Sequence, residues 1–477
     1  MQIDLTEKQL HTSLGQFIFP FSIIRGSRKA LVSRLHEDGF QPFYLNDIKL
    51  EDAFYGEGYK VSHERMERYY LPFTSSILFP HQPDPESFMR YSIRTELDCT
   101  LQTAFHNIPF RIHSLDAFIC PFDIGFITVR TEMTGEELDF TTALEFANRF
   151  RVLQDKTSQD IKTAILHEGN AYQEVEEFIF HRLAAGILPF LDKDGMEGAY
   201  FETLPYFMDE RMFVSCFFGF SESTGFSQSD LYRASRLNGV GDDGKPFISA
   251  SNPRYIDEYV RKHGYDRWDP DTYYMMNEHT FSCLTNQTGE EARFLANQMY
   301  GEYYYSLLLN MFHKIVLLKL SNRYSQVRMA KDQHAIEELI RNITKFSSKY
   351  FFLELVSQSQ GREIFIKMRS LFANQELYED VKETLTDLFK YQETFASRNR
   401  NYLLTILTVY TVISGIYGMN QVIEDLKAPV QWNKMAEYSV FEYIALFLAF
   451  SGIVVGFVLG ITVLVGWVRE QVRNRKE

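Results

Sequence analysis

Residues Tyr443 to Val468, 26 in a row, carry no charge, and this stretch limits what the chain can be more than any other feature. About 20 helical residues cross a hydrocarbon core, so it is long enough for one membrane crossing. A second apolar stretch, Tyr402 to Gly418, has 17 residues, close to the lower limit, and contains Thr405, Thr408, Thr411 and Ser414. A third, Tyr303 to Leu320, contains Asn310, His313, Lys314 and Lys319. Each of its lysines at mid-bilayer would cost about 2.5–3.5 kcal/mol, which rules it out as a crossing.

Basic residues set the expected orientation. Arg398 and Arg400 precede the first stretch, and Arg469, Arg473, Arg475 and Lys476 follow the second, so both termini are expected on the cytoplasmic side. The 419–442 loop between them holds Glu424, Asp425, Glu437 and Glu442 against Lys427 and Lys434 and is net negative. Gly452, Gly456 and Gly460 recur every fourth residue and form a small-residue groove of the kind used for helix packing.

Most of the 477 residues lie upstream of these stretches and have the composition of a folded globular chain, 45% apolar and 23% charged. The net charge of −14 argues against a nucleic-acid partner, which calls for a clustered basic surface. Cys99, Cys120, Cys216 and Cys283 are scattered, without metal-ligand spacing, and read as reduced core thiols. The N-terminus has no basic region before its short apolar run, so no signal peptide is expected.

The expected architecture is an α/β cytoplasmic domain over 1–288, a helical stalk region over 289–400, a transmembrane domain over 401–468 with helices 402–418 and 443–468, and a basic tail over 469–477. Phe110 to Val129 reads as two or three strands. An amphipathic helix is expected to start near Thr134 and bury Phe140, Leu144, Ala147 and Phe150, with a second helix over Ala171 to Leu191. Between Gly361 and Gly415 lie 53 residues without Pro or Gly, enough for one helix of about 80 Å. Val381, Leu388 and Phe395 recur within it every seven residues, as in a coiled coil.

The first apolar stretch has two distinct sides. At 100° per residue, Asn401, Leu404, Thr405, Thr408, Thr411 and Gly415 fall within an arc of about 120°. The opposite arc is large and apolar. One helix cannot enclose water, so this edge lines a pore only when several copies surround an axis. The other possibility is that the threonines bond their own backbone and line nothing.

The edge ends at Gly415-Ile416-Tyr417-Gly418-Met419-Asn420. Tyr417, Gly418, Met419 and Asn420 match the YGMN signature of the CorA-type magnesium and divalent-cation transporters, and the C-terminal organisation resembles that family. The resemblance implies a homopentamer in the cell membrane, inner or plasma, that takes up Mg²⁺ passively. It also implies that the Tyr417–Asn420 segment forms the selective entrance and that Mg²⁺ is both cargo and regulator. Asn420 would meet the ion through its water shell, because Mg²⁺ dehydrates reluctantly. Glu424 and Asp425 would form the outer acidic loop. A dication crossing 100 mV gains about 4.6 kcal/mol, twice the single-charge value, so no ATP is needed.

The sequence departs from the family in its longer N-terminal part and in lacking the proline common in the middle of the first span. Candidate regulatory acids near the stalk, Glu379, Asp380, Glu383 and Asp387, also read as a solvated helix face. Gly239 to Lys245 has Walker-A spacing, but Pro246 stands where Ser or Thr would hold Mg²⁺. Asp192-Lys193-Asp194-Gly195 is a turn rather than a calcium loop. No nucleophile, base and orienting group occur at recognisable spacing, so no enzymatic activity is expected. The rival readings are a Zn²⁺, Co²⁺ or Ni²⁺ transporter and a non-conducting membrane-anchored sensor or binding protein. Soft metals favour imidazole or thiolate, and residues 401–468 contain neither.

Overall fold

The computed structural model describes residues 3, 5–135, 137–154, 163–192, 211–327, 333–352 and 354–418, then 429, 432–444 and scattered positions from 446 to 461. Residues 1–383 form one compact unit and 384–477 a second.

The first unit is built on a twelve-stranded mixed sheet. In chain order the strands are β1 (Gln9–Ser22), β2 (Gln41–Pro42), β3 (Met89–Gln102), β4 (Asn107–Cys120), β5 (Ile124–Met133), β6 (Leu138–Asp139), β7 (Ala164–His167), β8 (Asn170–Tyr172), β9 (Phe213–Phe220), β10 (Gly264–Asp269), β11 (Thr272–Met276) and β12 (Thr280–Thr285). Their spatial order is β10-β11-β12-β9-β1-β5-β4-β3-β7-β8, with β2 on β3 and β6 on β1. Only β9 and β12 run parallel to each other among these pairs.

The period of two along β1 sorts its side chains. Phe17 points to one face, where its ring lies 5.8 Å from Phe146 and 4.7 Å from Phe150 of α1 (Phe140–Phe150). Gln16 points to the other and donates through Nε2 to the Met299 carbonyl at 2.9 Å. Met299 belongs to α2 (Gly289–Tyr300), which is followed by the buried α3 (Glu302–Gln326) and then by α4 (Gln333–Lys349). The sheet therefore has helices on both faces, as a large sheet with two apolar faces requires.

On the α3 face, a row of polar residues is fully buried. Asp116 accepts from Arg90 Nη2 at 3.1 Å, Arg130 Nη2 at 2.6 Å and Ser92 Oγ at 2.7 Å. The two guanidiniums hold the Asp116 carboxyl below its ordinary range, against the upward push of burial. Two cations to one anion leave an excess positive charge, and aromatic faces meet it. Arg90 lies 3.8 Å from the Phe43 ring centre, and Arg130 lies 5.1 Å from both Tyr55 and Tyr304.

The expected fold is corrected here. Among the described residues, no helix is long and apolar enough to cross a membrane. The two C-terminal transmembrane helices and the multi-pass membrane location inferred from them are not what the structure shows. The 402–418 stretch is the distal end of α6 (Asn374–Gly418), a 45-residue helix whose first half is charged. Its 17 apolar-rich residues fall short of the usual 20. Most of 443–468 lies outside the described residues.

Three local expectations also change. The helix expected from Thr134 starts at Phe140, because Leu138 and Asp139 pair with Leu10 and Gln9 as a short strand. Asp139 then caps α1, accepting from Thr142 N at 2.7 Å. The helix expected over 171–191 breaks into short pieces, since Tyr172 joins the β7–β8 hairpin and Pro189 falls in the last turn. The long 361–415 helix is divided into α5 (Ser359–Leu371) and α6, because Ala373 takes a left-handed φ of 54°. That turn lets the buried Asn374 donate to the Asn310 carbonyl on α3 at 3.0 Å.

Two measurements test this core. Asp116→Ala leaves two buried guanidiniums without their anion and is expected to lower unfolding free energy by about 3–5 kcal/mol, read from denaturant midpoints. His313, buried on α3, donates to the Tyr350 carbonyl at 2.7 Å, and burial brings its pKa from 6.5 down to about 3. Below pH 6.5 the unfolded chain takes a proton that the folded chain refuses, so stability falls by roughly 1 kcal/mol per pH unit until about pH 3. His313→Gln should flatten that part of the acid limb.

Candidate functional site

Two places concentrate functional chemistry: the distal end of α6 and a polar cleft in the first unit. On α6, Asn401, Leu404, Thr405, Thr408, Thr411 and Gly415 all lie on one continuous helix and are exposed. Each threonine hydroxyl donates to the carbonyl four residues back, Thr405 to Asn401 at 2.8 Å, Thr408 to Leu404 and Thr411 to Leu407 at 2.7 Å. The proton is thereby spent on the backbone, and the oxygen lone pairs remain as acceptors. Tyr402, Leu403, Ile406, Leu407 and Val409 are each more than half exposed, so the helix is apolar on most of its circumference. Tyr410 and Ser451 are joined through their hydroxyls.

Gly418 ends α6. The side chain of Tyr417, together with Met419, Asn420, Glu424 and Asp425, lies outside the described residues. Among the described residues, no group of three or more His, Cys, Asp or Glu side chains is arranged to hold a metal. All four cysteines are free and buried, and burial pushes Cys99 up to about 12. They are not nucleophiles at neutral pH.

The cleft, about 1050 Å³, lies where the sheet ladders are irregular. The β3–β4 register jumps between Arg94 and Leu97, and the β4–β5 register jumps between Ile112 and Ser114. His113 is the extra residue on β4, and Glu96 takes a left-handed φ of 49° on β3. Coincident bulges re-aim side chains out of the normal alternation. Here they turn His113 towards two carboxylates. Its Nε2 lies 2.9 Å from Glu132 Oε2 and its Nδ1 lies 3.4 Å from Glu96 Oε2. The carboxylates sit at opposite ring nitrogens, so one metal ion cannot bind all three groups.

One cleft wall is the 52–60 loop, the other α2. Gly56, at φ 89°, lies against the His113 ring, and a Cβ there would approach Nε2 to 2.8 Å. Glu302 closes the far end and is paired with Arg65 at 2.9 Å. Burial raises the Glu302 carboxyl above its ordinary value, with Arg65 partly opposing. Arg65 also covers the Phe294 ring at 4.4 Å.

Sequence reasoning singled out none of the cleft residues. They come from five separate segments, and the bulges that join them leave no fixed spacing. The left-handed Gly56, flanked by Gly58, is the one local signal. No family model matches the chain, and no curated protein or solved structure is similar to it.

Gly56→Ala combines an unfavourable φ with a clash at His113, and is expected to cost about 1–3 kcal/mol of stability. A chemical denaturation series on the full chain reads this directly, and an unchanged midpoint would contradict the close approach.

Proposed function

We propose that the chain transports divalent cations, Mg²⁺ before others, as a homopentamer whose axis is lined by the distal part of α6. The observation that carries this reading is the surface of that helix. Thr405, Thr408 and Thr411 present acceptor oxygens along one edge, while exposed large apolar side chains occupy the remainder. A helix apolar around most of its circumference is stable only when covered. Neighbouring copies cover the apolar part and leave the threonine edges facing one another.

A hydrated dication presents water hydrogens outwards, so a ring of acceptors suits it better than a ring of donors. The edge leads in sequence to Tyr417-Gly418-Met419-Asn420. Asn420 supplies further acceptor oxygens for the water shell, and Glu424 and Asp425 raise the local cation concentration. The absence of His and Cys from residues 401–468 disfavours Zn²⁺, Co²⁺ and Ni²⁺ as preferred cargo.

Mg²⁺ uptake by cells lacking their own uptake systems tests the reading. The chain should restore growth at low Mg²⁺, and Asn420→Ala should reduce uptake by about tenfold or more, the loss of roughly 1.4 kcal/mol at the entrance. Parallel uptake of Zn²⁺, Co²⁺ and Ni²⁺ separates the cargoes. Equal rescue by Asn420→Ala would remove that residue from the mechanism, and no uptake of any ion would favour a non-conducting sensor.

A further inference from the structure

The two lysines that rule out Tyr303 to Leu320 as a membrane crossing meet different surroundings on α3. Lys319 Nζ donates to the Phe122 carbonyl at 3.1 Å and reaches Ser22 Oγ at 3.5 Å. Lys314 Nζ makes no hydrogen bond or ion pair among the described residues and lies 5.6 Å from the centre of the Phe372 ring. Met311, Ile315 and Leu318 share its side of the helix, as the helical period places them. With Pro20 of β1, Phe213 of β9 and Phe372 they wall a cavity of about 50 Å³ that Lys314 also lines. Phe372 follows the last residue of α5 and immediately precedes the left-handed Ala373, so the break between α5 and α6 sets one wall.

An ammonium among such walls loses hydration without gaining a counter-ion, which favours the neutral amine. Burial lowers the Lys314 pKa accordingly, with Glu278 partly opposing. Glu278, the carboxylate at the cavity, lies 3.5 Å from His279 Nε2. We propose that Lys314 is a carbonyl-capturing amine that forms an imine with a small apolar aldehyde seated in this cavity, a role independent of cation transport. The Nζ lone pair attacks the carbonyl carbon and gives a carbinolamine. The two N–H protons then leave with the former carbonyl oxygen as water, so one C=N bond replaces one C=O bond and nothing is oxidised or reduced. The cavity holds roughly three or four water-sized positions, which suits an aldehyde of about three or four carbons. Apolar walls keep water from the C=N bond and so slow its hydrolysis. Leu318, 37% exposed, is the wall that reaches solvent.

Reductive trapping on the full chain tests the assignment. Butanal and cyanoborohydride, which reduces an imine to a stable secondary amine, are applied at about pH 7, and the modified lysines are mapped by mass spectrometry. Lys314 should gain a butyl group about tenfold faster than the exposed Lys245 and Lys390 of the same molecules. Glyceraldehyde, similar in length but polar, should show no such preference. Leu318→Asp, at the exposed edge and one turn from Lys314, supplies the missing counter-ion and should slow trapping at Lys314 by about tenfold while the reference lysines react as before. Trapping of butanal at Lys314 no faster than at the reference lysines, an equal preference with glyceraldehyde, or undiminished trapping in Leu318→Asp would each overturn the proposal.

Discussion

The first unit depends on one buried carboxylate. Asp116 lies inside the sheet with no exposed surface, and it binds Arg90 on β3 and Arg130 on β5 as well as Ser92. Taking three ions out of water costs several kcal/mol each, so the arrangement persists only because nearly every donor and acceptor is met. Tyr304 and Tyr305 of α3 complete it, the first donating to Thr128 Oγ1 at 2.7 Å and the second accepting from Arg90 at 3.0 Å. The network thereby fixes where α3 crosses the sheet. An all-apolar interface could slide by a residue or a turn, whereas this one has a single register in which its charges are satisfied.

The same face of the sheet carries the cleft, and the change from one to the other happens along β4. Asp116 and Ser114 keep the regular alternation and point into the interior, and Ser114 donates to the Phe54 carbonyl at 2.6 Å. One residue earlier the bulge interrupts the alternation, and His113 meets Glu96 and Glu132 at the cleft floor. Phe54 and Gly56 belong to the same loop, so one short segment is pinned by the core at Phe54 and passes close against the imidazole at Gly56.

The sequence made the local elements readable and the long-range ones not. Phe140, Leu144, Ala147 and Phe150 were identifiable as one buried helix face because the 3.6-residue period needs only eleven neighbours, and all four are buried. Strands β4 and β5 were readable from their Ile, Phe and Val content. The pairing of β1 with β9, some 200 residues away, has no local signature, and so the width of the sheet was not foreseeable. The Ala373 break was hidden because the residue is a good helix former, and the demand for the turn comes from Asn310 on another helix. The apolar character of 402–418 is legible in its composition, but its helix begins in charged sequence and the stretch is short for a crossing.

Strand β1 has a consequence for how the protein is made. It leaves the ribosome about 200 residues before β9, yet it occupies the middle of the sheet, hydrogen-bonded to β5 on one side and β9 on the other. Its second partner is not synthesised until residues 213–220, and β9 in turn leans on β12 at 280–285. At about 5–20 residues per second, Phe17, Phe19 and Phe21 wait on the order of ten seconds or more with one flank unpaired. A nascent chain of this kind is a natural client for holding chaperones, whose work ends when the last strand closes the sheet.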